Sequence, residues 1–303
     1  MIIKLSSIYL KKLFLAGILL IPSICHSLQI GDKAPNFEAQ STKGTINFHK
    51  WSGENWAILF SHPGDFTPVC TTELAELSFL QPEFKKRQTK IITLSTNSVS
   101  DHLEWIPHVD KYKNLQKKYK GDKVTVGLEK PDLDYPIVAD KELKIAAAYE
   151  MYHPKAEPSE SVFGDTNKST IRSVFIIDPD KTVQTILSYP KNIGRNFDEI
   201  IRIIDALQLS KNYNVAIPAN WQKGKQVIVP NEIPSEDIKE KYNVEFFTTY
   251  QDYLRTIDDP TATKKAMVPK QKKDDLINFD FLPEFKFDHE KPKSKRIRKQ
   301  IDK

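Results

Sequence analysis

The chain has 303 residues, enough for one large domain or two small ones, and its 39% apolar and 28% charged residues fit a folded core carrying polar extensions. The formal charge of +5 sits at the C-terminal end: from Phe285 onward eight basic residues stand against three acidic ones, a net of plus five that leaves the central body slightly acidic. Neither this balance nor any motif points to nucleic-acid recognition, and no internal repeat is visible.

Met1 to Ser27 holds Lys4, Lys11 and Lys12 and no acidic residue, followed by the apolar run Leu13–Ile21, then Pro22 and the small-residue pattern Cys25-His26-Ser27. This is the layout of a signal peptide cleaved after Ser27, which would send the protein into the secretory pathway; a retained anchor or a presequence for another organelle are the alternatives. The run is short for a membrane span, and no other stretch reads as one. Cleavage removes Cys25 and leaves Cys70 as the one cysteine, so the mature chain could form no internal disulfide.

Gly31 and Pro35 punctuate an extended beginning, and Gly44 marks a hairpin turn ahead of Ile46–His49. Trp56–Phe60 is a buried strand. Leu74–Leu80 repeats apolar residues at helical spacing, in a helix expected to reach about Lys86. Lys90–Ser95 reads as a strand, Asp101–Tyr119 as a helix broken at Pro107, Gly121–Asp134 as a polar loop, Pro136–Asp140 as a strand and Leu143–Tyr149 as a helix. Arg172–Ile177 and Thr182–Ser188 flank the turn Asp178-Pro179-Asp180-Lys181, a hairpin signal. Phe197–Leu207 is an amphipathic helix. Strands alternating with helices indicate an α/β sheet. A small second module is expected over 208–260, with Val227–Pro230 apolar and Asp237–Tyr242 helix-prone, and a Lys-rich disordered tail over 261–303.

The most informative stretch joins the Trp56 strand to the next helix: Ser61-His62-Pro63-Gly64-Asp65-Phe66-Thr67-Pro68-Val69-Cys70-Thr71-Thr72-Glu73-Leu74. Pro68 suits a helix start, because it has no N–H to leave unpaired. Cys70 then lies in the first turn, where free N–H groups and the helix dipole favour a thiolate over a thiol. A buried, idle Cys at a helix start is the plain alternative, and Thr67 could be only an N-cap.

Pro63-x-x-x-Thr67-x-x-Cys70 resembles the active-site signature of the peroxiredoxins. The longer string, with its Ser61-His62-Pro63 opening and Cys70-Thr71-Thr72-Glu73-Leu74 close, resembles their one-cysteine subfamily. The similarity runs from about Leu28 to about Pro260 and includes Gly31–Phe37 and Gly194–Ile200. The resemblance implies a thioredoxin-like fold with a central mixed sheet flanked by helices over 28–207. It also implies a C-terminal peroxiredoxin domain over 208–260 that shields the site and builds a homodimer.

It further implies a thiol peroxidase acting on hydrogen peroxide and organic or lipid hydroperoxides in antioxidant defence. Cys70 would be the nucleophile, Thr67 would hold the peroxide, Pro63 would shield the sulfur, and Arg172 would be the cation beside it. His62 would lie near the sulfur, and Glu73 and Arg195 would orient the arginine network. No bound cofactor or metal is implied; an external thiol, glutathione or another donor, would regenerate Cys70, and a protein partner could deliver it. Some members hydrolyse phospholipids with a serine, a histidine and an aspartate; His49 and Asp180 match two of these positions but Asn55 occupies the third, so that activity is expected to be absent. A secreted chaperone or a redox-signalling protein on the same scaffold is the other reading. The basic tail could tether an acidic partner or a membrane, a reading that weighs less than a solvated tail. Asn167-Lys168-Ser169 is an N-glycosylation acceptor sequence.

Overall fold

The computed structural model describes residues 27–119, 133–151, 159–160, 166–167 and 169–262. The expected signal segment, most of the Gly121–Asp134 loop, Lys168 of the acceptor sequence and the basic tail lie outside the described residues.

Chain order begins with the hairpin β1 (Glu38–Ser41) and β2 (Gly44–Asn47), then α1 (Phe48–Ser52), β3 (Trp56–Ser61), α2 (Pro68–Lys86), β4 (Thr89–Ser95), α3 (Val99–Tyr119), β5 (Ile137–Ala139) and α4 (Lys144–Ala148). A two-residue pair, β6 (Ser159–Glu160) with β7 (Thr166–Asn167), precedes β8 (Arg172–Ile177), β9 (Val183–Tyr189) and α5 (Phe197–Tyr213). The C-terminal part holds β10 (Val227–Val229), α6 (Ile238–Tyr242), β11 (Thr248–Gln251) and β12 (Leu254–Ile257).

Seven strands form one mixed sheet in the order β2-β1-β5-β4-β3-β8-β9. β3 pairs parallel to β4 and antiparallel to β8. All six residues of β3 are buried, as a strand covered on both faces requires. Its alternation divides the core in two. Ile58 and Phe60 face a cluster with Cys70, Leu74 and Leu77 of α2, Trp105 of α3, and Ile200 and Ile204 of α5. Ala57 and Leu59 face Phe48, Ile92, Tyr149 and Phe175. A third cluster, with Trp221, Val227, Val229, Ile238 and Ile257, underlies the sheet β10-β12-β11. The fold is therefore α/β and thioredoxin-like, with a small C-terminal addition.

This topology positions the site. β3 ends where its antiparallel neighbour β8 begins, since Phe60 opposes Val174. The turn after β3 and the first residue of β8 thus share one edge of the central sheet. Chains more than a hundred residues apart meet there.

Several expected boundaries shift. α3 runs through Pro107 without a break. Trp105, Ile106 and Val109 are all buried on the core side, so packing holds the helix across the missing N–H. α5 continues past Leu207 to Tyr213 and ends on Asn214 in the left-handed conformation, because Leu209 is buried in the C-terminal cluster although its neighbours are polar. Phe48 and His49 start a short helix capped by the Asn47 side chain instead of prolonging a strand. The β11–β12 hairpin carries no alternating pattern, as all four residues of β11 are exposed.

Pro107 is exposed, so its ring contributes nothing to the buried face. Pro107→Ala restores one helical hydrogen bond and is expected to raise the unfolding free energy by about 1–3 kcal/mol. Urea unfolding of the two proteins reads this difference directly; a decrease would mean that the core packing depends on the ring.

Candidate active site

Cys70 is the third residue of α2, two after Pro68 in the helix's first position, and it is fully buried. Thr67 is the N-cap residue, but its side chain does not cap. Its hydroxyl donates instead to the Gly64 carbonyl at 2.9 Å, which closes the loop on itself and leaves the Thr67 oxygen lone pairs free to accept. Pro63 is buried in the same loop.

Arg172, the first residue of β8, is 1% exposed. Its Nη1 donates to Cys70 Sγ at 3.5 Å and to Glu73 Oε2, and its Nη2 donates to the Lys191 carbonyl at 2.7 Å. Arg172 Nε is buried without a hydrogen-bond partner among the described residues. Glu73, one helical turn after Cys70, also receives Arg195: Nε at 3.0 Å, Nη2 at 2.6 Å and the backbone N–H at 2.8 Å. Arg195 Nη1 reaches back to the Ser61 carbonyl at 3.0 Å, and its guanidinium lies 5.2 Å over the Phe60 ring.

Burial pushes the Glu73 carboxyl up, but Arg195 above all, with Arg172, holds it below the ordinary carboxylate range. Glu73 is therefore an anion shared by two cations. The cluster carries one more positive charge than negative, and the remaining acceptor beside Arg172 is the Cys70 sulfur.

His62 is fully buried, as expected of a site residue, but its hydrogen bond goes to a residue the sequence did not single out. Its Nε2 lies 3.0 Å from Asp65 Oδ1, while Asp65 Oδ2 is 2.5 Å from Nδ1 of His102 on α3. Asp65 lies inside the loop motif; His102 is 37 residues on and reaches it only through the fold. Burial pushes Asp65 up, but the hydrogen bonds from His102 and His62 outweigh it and bring its pKa down to about 2. Burial lowers the pKa of His62 more than Asp65 raises it.

The structure thus brings Pro63, Thr67, Cys70, Glu73, Arg172 and Arg195 into one buried site with His62 in its loop. Among the described residues no hydrogen bond joins His49, Asn55 and Asp180. His49 Nε2 is 2.8 Å from the Ala34 carbonyl, the Asn55 amide donates to the Ser52 carbonyl at 3.2 Å, and Asp180 pairs with Lys211 at 2.6 Å.

A model of the AhpC/TSA family matches residues 30–186, and one of the C-terminal domain of 1-Cys peroxiredoxin matches residues 206–243. The chain is 41% identical over 233 residues to a 1-Cys peroxiredoxin of Dictyostelium discoideum, covering 77% of this chain and 86% of that one. It is 42% identical over 221 residues to Peroxiredoxin-6 of Gallus gallus, covering 73% and 91%. The chain belongs to the 1-Cys peroxiredoxins. Its fold agrees with the solved Peroxiredoxin 6 of Arenicola marina (TM-score 0.64, 40% identity, 78% of this chain and 100% of that one). It agrees equally with a yeast mitochondrial 1-Cys peroxiredoxin studied for thiol resolution via glutathione/thioredoxin systems (TM-score 0.65, 38% identity, 76% and 99%). Thiol peroxidase chemistry is the activity of this family.

Acid should weaken this site in two steps. His62 has a pKa depressed below 6.5, so the unfolded chain takes up its proton first and stability falls as the pH drops below about 6.5. Asp65 contributes fully above 3.8 and loses its contribution as the pH falls from 3.8 towards about 2. The loss at Asp65 is on the order of 2 kcal/mol. Asp65→Asn should lower stability at pH 7 and flatten the pH dependence between about 4 and 2 in urea unfolding; an unchanged slope would show that this carboxylate is not depressed.

Proposed function

We propose that this peroxiredoxin reduces hydrogen peroxide and organic or lipid hydroperoxides through Cys70, and that the mature chain starts at Leu28. The contact of Arg172 with the Cys70 sulfur inside a buried, net-positive cluster is the observation that carries this reading. The Cys70 thiolate attacks the terminal peroxide oxygen. The S–O bond forms as the O–O bond breaks, Cys70 becomes a sulfenic acid, and the departing oxygen takes a proton to leave as water or an alcohol. The Thr67 oxygen accepts from the peroxide O–H, and Arg172 Nε is a free donor for the charge that builds on the leaving oxygen. Pro63 excludes water, and Glu73 with Arg195 holds Arg172 in place.

No second cysteine remains in the mature chain, so recovery needs two external thiols. The first displaces water from the sulfenic acid to give a mixed disulfide, and the second releases the Cys70 thiol. Glutathione or another thiol donor fits this role, and the glutathione/thioredoxin dependence of the yeast relative supports it. The 208–260 module would pair two copies into a homodimer. Entry into the secretory pathway and use of the acceptor Asn167 belong to the same reading.

The test uses the chain from residue 28, reduced, mixed with one equivalent of hydrogen peroxide and quenched within seconds. Intact mass should show one added oxygen on the wild type and none on Cys70→Ser, with matching peroxide loss. Unmodified protein with peroxide unconsumed would overturn the enzyme reading in favour of a chaperone. Arg172→Lys keeps a charge but loses the forked geometry, and its oxidation rate should fall on the order of 100-fold.

Phospholipid hydrolysis is absent in this reading, because Asn55 offers an amide where a hydroxyl nucleophile is needed. Release of fatty acid from phospholipid vesicles, abolished by His49→Ala, would contradict it.

A further inference from the structure

The buried group His62, Asp65 and His102 lies outside the chemistry assigned above. His62 directly follows β3, Asp65 lies in the loop, and His102 sits in the first turn of α3. The two histidines are 0% exposed and Asp65 is 5% exposed. Among the described residues Asp65 has these hydrogen-bond partners: His62 on Oδ1, His102 on Oδ2, the Ser95 hydroxyl at 3.2 Å from Oδ1, and Asn97 Oδ1 accepting the Asp65 backbone N–H at 3.0 Å.

Donor and acceptor counting fixes the protons. His102 Nε2 lies 3.2 Å from the Val138 carbonyl, which can only accept, so Nε2 carries a proton. His102 Nδ1 lies 2.5 Å from Asp65 Oδ2. Asp65 is an anion well into acid, so this nitrogen donates as well. Both ring nitrogens of His102 are donors. Asp65 Oδ1 likewise requires a proton on His62 Nε2. His62 is held neutral by its burial, so its Nδ1 is bare, and this atom has no hydrogen-bond partner among the described residues.

We propose that His102 is a positioning residue: an imidazolium, ion-paired to Asp65, that fixes His62 as its Nε2–H tautomer and keeps Nδ1 as a bare acceptor in the loop carrying Cys70. The pair is charge-neutral, which makes its burial bearable, and it joins the loop to α3. Its geometry stands independently of any activity. Its effect on Cys70 rests on the peroxidase reading.

The first experiment reads the wild-type protein. Long-range proton–nitrogen correlation spectra of histidine-labelled wild type at pH 7, assigned with His62→Gln and His102→Gln, report which ring nitrogens hold protons. The expected result is two protonated nitrogens on His102, and on His62 a protonated Nε2 with a bare Nδ1. A bare nitrogen on His102, or a proton on His62 Nδ1, overturns the proposal.

The second measurement is made on His102→Gln, whose amide can still donate to Asp65 but brings no charge. The His62 signals should move towards a mixture of tautomers, and Cys70 oxidation by hydrogen peroxide should slow on the order of tenfold. Folded His102→Gln with wild-type His62 signals and an unchanged rate overturns the positioning role. A wild type that gives the expected spectrum but leaves peroxide unconsumed overturns the peroxidase reading and supports the proton arrangement.

Discussion

A carboxylate shared between two buried guanidinium groups is the interaction on which the site depends. Glu73 would be costly to bury alone, and so would either arginine. Together they leave one positive charge over, and Arg172 directs it at the Cys70 sulfur. In the proposed peroxidase reaction the same contact would serve the Cys70 sulfur. Removing Glu73 would leave both Arg172 and Arg195 buried without their shared anion.

The central sheet makes this cluster possible. Cys70 and Arg172 are 102 residues apart, and only the antiparallel pairing of β3 with β8 puts them at the same sheet edge. Ser61 reinforces the junction: its hydroxyl accepts from the Ser173 backbone N–H at 2.9 Å and donates to the Ile171 carbonyl. Arg195 ties the same edge to the start of α5 by donating to the carbonyls of Ser61 and Ser173. α2 is held on the other side by the Trp105 N–H, which donates to the Thr71 hydroxyl, and by the Tyr135 hydroxyl, which donates to the Leu74 carbonyl. Each tie ends on a main-chain group or a short side chain, so little freedom remains in the position of the sulfur.

What could be read from the sequence follows this division between local and distant. The β3–loop–α2 unit was legible because its signals are local: a buried run, two prolines and a cysteine at a helix start. The hairpin around Asp178–Lys181 was legible for the same reason. Arg172 was visible only through resemblance, since nothing in its own neighbourhood separates it from an arginine at any strand start. His102 was not visible at all. It looks like one polar residue on a polar helix, and its meaning comes from Asp65, which no spacing rule connects to it. Pro107 misled because propensity was read without the three buried residues that hold α3 together. The end of α5 lies beyond the visible periodicity because one residue, Leu209, outweighs four polar neighbours by packing into the C-terminal cluster.

Two charge clusters of opposite construction hold the loop from two sides. On the β8 side one anion serves two cations; on the α3 side one anion serves two histidines. Between them the loop keeps a left-handed Phe66, at φ 55°, which costs on the order of 1 kcal/mol for a side-chain-bearing residue. Phe66 makes an edge contact with His108 and lies 6.3 Å from Trp105, so packing against α3 offsets this cost. That conformation, with Thr67 bonded back to Gly64, turns the chain sharply enough to start α2 at Pro68 and place Cys70 against Arg172. The strain, the helix start and the guanidinium contact are consequences of one loop shape. Any substitution that relaxes the loop therefore acts on all three together.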